Sequence, residues 1–256
     1  MPRIDVNGES LHYERAGSGT PLLLIHSLGT SSWLWRAEIA HWSTHYDVIA
    51  VDARGHGGSS RNGGFSVQAV AEDLAAVLTA LDLDRAHVVA ISMGGPIAAH
   101  LVDIAPERVK SLVIADSFAT QGEAGGIRAM AIATTITGAS MKEYGRQYAT
   151  ETLEEDSPHV DALAALIASM SAEAYIEAAQ SVFTADVVDL VRKIAVPTLV
   201  VCGTRDQRTP PRLSEEIVGL IPGAELQLIE GARHLANLDR PAEFQAAIDG
   251  FLAAQA

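Results

Sequence analysis

Six short apolar runs recur along the chain: PLLLIH (21–26), DVIAVD (47–52), AHVVAI (86–91), KSLVIAD (110–116), PTLVVCG (197–203) and AELQLIE (224–230). Several lack polar alternation, the pattern of strands covered on both faces. Between them lie stretches with helical periodicity. The clearest is SVQAVAEDLAAVLTALDL, where Val67, Val70, Ala71, Leu74, Val77, Leu78 and Leu81 recur at helical spacing. Strands alternating with helices predict an α/β fold with a mainly parallel sheet and right-handed crossovers. RIDV and SLHYERA flank Asn7-Gly8, a hairpin signal ahead of the six runs.

The alternation breaks over 118–190, which is rich in Ala, Met and Thr and punctuated by GEAGG, ITGAS and DSPH. This stretch predicts several helices and no strand, and the sheet resumes at Val196-Pro197. The chain therefore divides into a first core part (1–117), a helical cap or lid (118–190) and a second core part (191–256). An insertion on the side where strands end is well placed to cover a site. With 256 residues, 48% of them hydrophobic, the chain can bury one large core.

The pentapeptide Ala90-Ile-Ser92-Met-Gly94 sits where the third parallel strand gives way to a helix. A strand, then x-Ser-x-Gly, then a helix is the setting of a nucleophile elbow, which lifts the serine hydroxyl above the sheet on a strained turn. Small residues two before and two after the serine let strand and helix approach. Gly94 meets that need fully, and Ala90, with its methyl, less freely. The plain alternative is that Ser92 is an ordinary helix N-cap.

A serine hydroxyl needs a base, and the base needs an orienting acid. Asp206 follows the strand PTLVVCG in TRDQRTPP, and His234 follows AELQLIE in GARHLANLDRP. Parallel strands bring these loops to the sheet edge where the elbow lies, the edge at which open α/β sheets place their ligands. Asp116, at the end of KSLVIAD, is a second possible acid, and Asp206 is favoured because D-x-x-T-P holds it in a turn. Acyl transfer also needs main-chain donors for a developing oxyanion. The N–H groups of Met93 in the elbow and of Leu28 in HSLGTSSWLWR are the candidates.

At these residues the chain resembles an α/β-hydrolase of the lactonase, esterase and perhydrolase branch. The likeness runs through LLLIHSLGTSSWLW, VDARGHGGSS, AISMGG, CGTRDQRTP and GARHLANLDRP, which span essentially the whole chain. HSLGT with Trp35, DARGHGGSS and RHLANLDRP most resemble 3-oxoadipate enol-lactonases; Ala90 departs from the elbow glycine. The resemblance implies a mostly parallel eight-stranded sheet with helices on both faces and a helical lid. It implies a cofactor-free serine hydrolase for a small ester or lactone, with Ser92, Asp206 and His234 catalytic and Trp35 lining the substrate pocket. A general carboxylesterase, a perhydrolase or C–C bond hydrolase using the same triad, and a ligand-binding receptor on the same scaffold remain as alternatives.

Net charge is −14, from 18 basic and 32 acidic residues. That balance argues against nucleic acid or an anionic membrane as partner, and an anionic substrate would need a local basic group. Arg128, Lys142 and Arg146 are candidates for such a group, with solvated surface the simpler reading of each. One cysteine, Cys202, allows no internal disulfide, no signal-peptide h-region opens the chain, and no uncharged apolar stretch reaches the ~18 residues of a membrane span. These features lead us to expect a cytoplasmic protein. His26 and His56 lack neighbours at ligand spacing and read as structural, giving no metal site. Asp52 and Arg54 read as a turn bracing the floor of the site.

Overall fold

The computed structural model describes residues 2–255. Its sheet consists of β1 (Arg3–Val6), β2 (Glu9–Gly17), β3 (Thr20–Ile25), β4 (Tyr46–Val51), β5 (Ala86–Ile91), β6 (Val109–Ala115), β7 (Thr198–Gly203) and β8 (Glu225–Ile229). The spatial order is β1-β2-β4-β3-β5-β6-β7-β8. Only β2 runs against the rest; β3 to β8 are parallel neighbours. The expected hairpin is present, with Val6 paired to Glu9 and positive φ at both Asn7 (49°) and Gly8 (78°), the geometry of a two-residue type I′ turn.

Between the strands run α1 (Arg36–Trp42), α2 (Val67–Ala80) and α3 (Gly94–Ile104). Beyond β6 come α4 (Gly122–Gly138), α5 (Met141–Thr152), α6 (Val160–Ala168), α7 (Ala172–Phe183) and α8 (Val188–Val191). The chain closes with α9 (Pro211–Leu220), α10 (Ala236–Asp239) and α11 (Pro241–Ala254). Helix α2 pairs with α3, and α1 with α11, so that helices flank the sheet. The Ser66 hydroxyl caps α2 by accepting from Ala69 N–H at 3.0 Å, and Val67, Val70, Ala71, Leu74, Val77 and Leu78 form its buried stripe. Leu81 falls just past the helix, in its C-cap.

All six residues of β5 and of β7 are buried, which accounts for their unbroken apolar runs. The edge strand β8 is open on one side, and Leu228 is exposed. The five helices α4 to α8 form an insertion pinned at its base. Thr120 bridges Asp186, and Val187 N–H donates to the Ala119 carbonyl at 2.9 Å. Within it α4 packs on α7 and α5 on α6. No single helix among the described residues is long and apolar enough to cross a membrane.

Candidate active site

Strand β5 ends at Ile91 and α3 begins at Gly94, leaving Ser92 and Met93 to reverse direction. Ser92 takes φ 57°, a left-handed conformation that side chains disfavour. The turn is held from both sides: Ser92 N–H donates to the Ala115 carbonyl at 2.9 Å, and the Ser117 hydroxyl donates to the Ser92 carbonyl at 2.6 Å. The space left by Gly94 explains how Ala90 is tolerated. A Cβ on Gly94 would lie 2.7 Å from the Ile25 carbonyl oxygen and 3.2 Å from the Ala90 methyl. The glycine on one side of the elbow thus makes room for the alanine on the other.

The hydroxyl so placed meets His234, whose Nε2 is 2.9 Å from Ser92 Oγ. The other ring nitrogen, Nδ1, is 2.9 Å from Asp206 Oδ2. An ionised carboxylate only accepts, so Nδ1 carries the hydrogen and Nε2 is free to accept from the serine. All three side chains are buried. Asp206 Oδ1 accepts from the Arg208 and Thr209 N–H groups at 2.7 and 3.0 Å, the turn expected of D-x-x-T-P. The Thr209 hydroxyl donates to Oδ2 at 2.6 Å. Burial would raise the Asp206 carboxyl, but His234 beside it and the Thr209 bonds outweigh burial and hold it below its ordinary value.

Asp116 lies close by without facing the histidine. Its Oδ1 accepts from Gly203 N–H at 2.9 Å and its Oδ2 from Ala236 N–H at 3.1 Å, tying the ends of β6 and β7 to the loop after His234. Burial first, and the Asp206 charge second, push the Asp116 carboxyl well up. Two neighbouring buried carboxyls do not both ionise readily. Asp206, with the histidine at its side, is the carboxyl at which charge is favoured, and burial beside it disfavours charge on Asp116.

Leu28 and Met93 are buried near the elbow, and neither N–H has a main-chain or side-chain acceptor among the described residues. The Leu28 loop is braced from below. Asp52 accepts from Ser32 N–H at 2.6 Å and Gly58 N–H at 2.8 Å, and Arg54 forks onto Asp73 at 2.7 and 2.8 Å. His26 Nε2 accepts from Ala53 N–H at 2.9 Å, and His56 Nδ1 donates to the Arg54 carbonyl at 3.1 Å. Burial lowers His26 and pushes His56 down to about 3, so both rings are neutral braces.

A narrow cavity opens at Ser92 and His234, walled by Leu28 and Thr209 from the core and by Phe118, Val182 and Phe183 at the base and end of the insertion. Trp35 is not part of it. Its ring is fully buried and packs against Phe244, with ring centroids 6.4 Å apart, because the short helical turn Ser32–Trp35 directs it into the core beneath α1. The expectation that Trp35 lines the pocket is therefore corrected. Trp33 is the tryptophan that reaches the insertion, edge-on to His159 at 6.2 Å.

The cavity wall also takes in Arg128 from α4, one of the three basic residues offered by the sequence, and Arg208 from the Asp206 loop, which the sequence reading did not name. Lys142 and Arg146 are exposed, as solvated surface predicts, but Arg128 is only partly accessible. A signal existed: Ala124, Gly125, Ala131 and Ile132 occupy the neighbouring helical positions of Arg128, so no acid on its own helix can pair with it.

Residues 20–241 match a family described as the alpha/beta hydrolase fold. The chain is 31% identical over 235 residues to 3-oxoadipate enol-lactonase 2 of Acinetobacter baylyi, covering 90% of this chain and 88% of that protein. The solved enol-lactonase of Burkholderia xenovorans shares the fold with a TM-score of 0.92 at 24% identity, over 98% of this chain and 100% of that one. A solved N-acyl homoserine lactone degrading enzyme has a TM-score of 0.84 at 29% identity, over 98% and 100% of the two chains.

Proposed function

The chain belongs to the α/β-hydrolase fold family, and on that premise we propose that it is a carboxylic ester hydrolase that opens a small ester or lactone through an acyl-enzyme, with 3-oxoadipate enol-lactone as the first substrate to test. The observation that carries this reading is the unbroken chain Ser92 Oγ–His234 Nε2 and His234 Nδ1–Asp206 Oδ2, both links at 2.9 Å, ending on a serine held at φ 57°. The relatives named above support the lactone.

In the proposed mechanism His234 Nε2 takes the Ser92 proton as Oγ attacks the acyl carbon. Asp206 stabilises the imidazolium and fixes its tautomer. The Leu28 and Met93 N–H groups, which have no acceptor among the described residues, receive the developing oxyanion. His234 then protonates the leaving oxygen. With an enol lactone that oxygen becomes an enol, which ketonises and makes ring opening effectively irreversible. A water deprotonated by His234 releases the acyl group and restores the serine. No step calls for a cofactor. The insertion acts as the lid, closing the cavity with Phe118, Val182 and Phe183 and excluding bulk water. A cytoplasmic setting fits the single, buried thiol of Cys202.

The test follows 3-oxoadipate enol-lactone by ultraviolet absorbance at neutral pH, with Ser92→Ala as control. The reading expects kcat/KM on the order of 10⁵ M⁻¹s⁻¹ or more for the wild type, the range of a working enzyme, and no turnover by the variant. Hydrolysis of simple short-chain esters with none of the lactone removes the lactonase assignment and keeps the serine mechanism. Residual turnover in Ser92→Ala beyond a small fraction removes both.

A further inference from the structure

Arg128 stands apart from every other arginine near the site. Arg208 is satisfied where it is. Its Nε donates to Thr152 Oγ1 at 2.8 Å, its Nη2 to Glu151 at 3.3 Å, and its guanidinium lies over the Tyr148 ring, 4.0 Å from the centroid. Arg128 has no carboxylate partner among the described residues. One of its five N–H donors is used, Nη1 to the Arg208 carbonyl at 2.8 Å, and its Cζ sits 4.6 Å over the Phe183 ring. The cation is nonetheless drawn inward. Burial, with the Arg208 charge next, works against its protonated form.

The placement is as telling as the lack of a partner. Arg128 and Arg208 wall the cavity at Ser92 and also line both open clefts outside it, one beside Tyr144 and Gln147, the other beside Thr120 and Leu213. They therefore belong both to the wall beside the reacting serine and to clefts open to solvent. A partly buried guanidinium with unused donors and no counter-ion is costly unless a ligand supplies the charge. Apolar walls such as Phe118 and Phe183 lower the local dielectric and strengthen that attraction. The acids beside Arg128 are engaged by other groups, Glu151 by Arg208 and Asp206 by His234.

We propose that Arg128 is a carboxylate-binding residue of the substrate site, so that this enzyme acts on esters or lactones carrying a free carboxylate within reach of the scissile acyl group. This rests on the hydrolase reading above. Net charge of −14 repels an anion at long range, so selection for an anionic substrate depends on this local cation. A guanidinium and a carboxylate meet in two parallel N–H···O bonds, a fit that a lysine reproduces only in charge.

The test compares matched esters that differ only in the carboxylate. The p-nitrophenyl half-ester of glutarate is paired with p-nitrophenyl valerate, placing the charge on the acyl side. 4-Acetoxybenzoate is paired with phenyl acetate, placing it on the leaving group. The readout is the ratio of kcat/KM, anionic over neutral, which a general loss of folded enzyme does not move. In at least one pair Arg128→Met lowers that ratio by about tenfold to a hundredfold, chiefly through KM, and Arg128→Lys retains part of it. In parallel, calorimetry on Ser92→Ala titrates monoethyl glutarate against ethyl valerate. The anion binds at least tenfold more tightly, and Arg128→Met in the same background abolishes the difference. A ratio unchanged by Arg128→Met in both pairs, together with binding indifferent to it, overturns the proposal while leaving the hydrolase standing. Preserved, Arg128-dependent binding without turnover removes the hydrolase reading instead.

Discussion

Glu38 offers a sharp test of how burial sets protonation in this protein. It lies on α1 with no exposed surface, receiving Gln245 Nε2 at 3.2 Å and Asn237 Nδ2 at 3.4 Å. Asn237 Nδ2 also donates to the Leu34 carbonyl at 3.0 Å, so this cluster ties α1 to the short helix that follows His234. Burial is the main cause that raises the Glu38 carboxyl from 4.5 to about 7. The rise corresponds to about 3 kcal/mol favouring the protonated acid in the folded chain. Because the folded value is raised, this stabilisation is complete below about pH 4.5 and is lost as pH climbs through about 7, with about 2 kcal/mol going between pH 5 and pH 8. Glu38→Gln removes the ionisation and keeps the shape. Its amide can also donate to Asn237 Oδ1, which has no partner among the described residues. Urea unfolding of both proteins at pH 5 and pH 8 measures the effect. The stability of the variant relative to wild type is expected to rise by about 2 kcal/mol between the two pH values, and the comparison cancels every other titrating group. A difference between the two proteins that stays constant with pH would refute the reasoning.

Asp206→Asn leaves the Thr209 and main-chain contacts largely available but lets the histidine adopt the wrong tautomer. A fall in kcat of about 10³–10⁴, with KM little changed, is expected in steady-state ester hydrolysis. Gly94→Ala places a methyl 2.7 Å from the Ile25 carbonyl oxygen and should cost about 1–3 kcal/mol in denaturant unfolding. Ala90→Gly in the same protein does not restore the loss, since the obstructing atom belongs to the backbone of β3.

The parts legible in the sequence were those fixed by short-range pattern. The apolar runs read as buried strands because β5 and β7 are covered on both faces along their full length. Ser92, Asp206 and His234 could be located because each follows a strand, and parallel strands deliver the following loops to one edge of the sheet. What stayed hidden depended on how elements stack. Trp35 and Trp33 are two residues apart on one tight turn, and only the rotation of that turn decides which enters the core and which meets the insertion. Asp116 read as a rival acid because its strand end is adjacent. Its oxygens are instead occupied by the N–H groups of Gly203 and Ala236, main-chain partners that no side-chain pattern announces.

Arg128 shows a related limit: the sequence offers it beside Lys142 and Arg146 and does not tell which of the three turns inward. The buried face of α4 is Gly125, Ala129, Ile132 and Ile136, a stripe too small and sparse to orient a helix by hydrophobic periodicity. Contact decides the orientation. A Cβ on Gly125 would fall on the Phe183 carbonyl oxygen, so only glycine lets α4 approach the end of α7 this closely. That approach brings Arg128, one turn later, over the Phe183 ring and into the cavity wall. The reacting groups sit on strand ends, where topology alone places them. The group proposed to recognise the substrate sits on an inserted helix, whose close approach to α7 rests on the missing Cβ of Gly125.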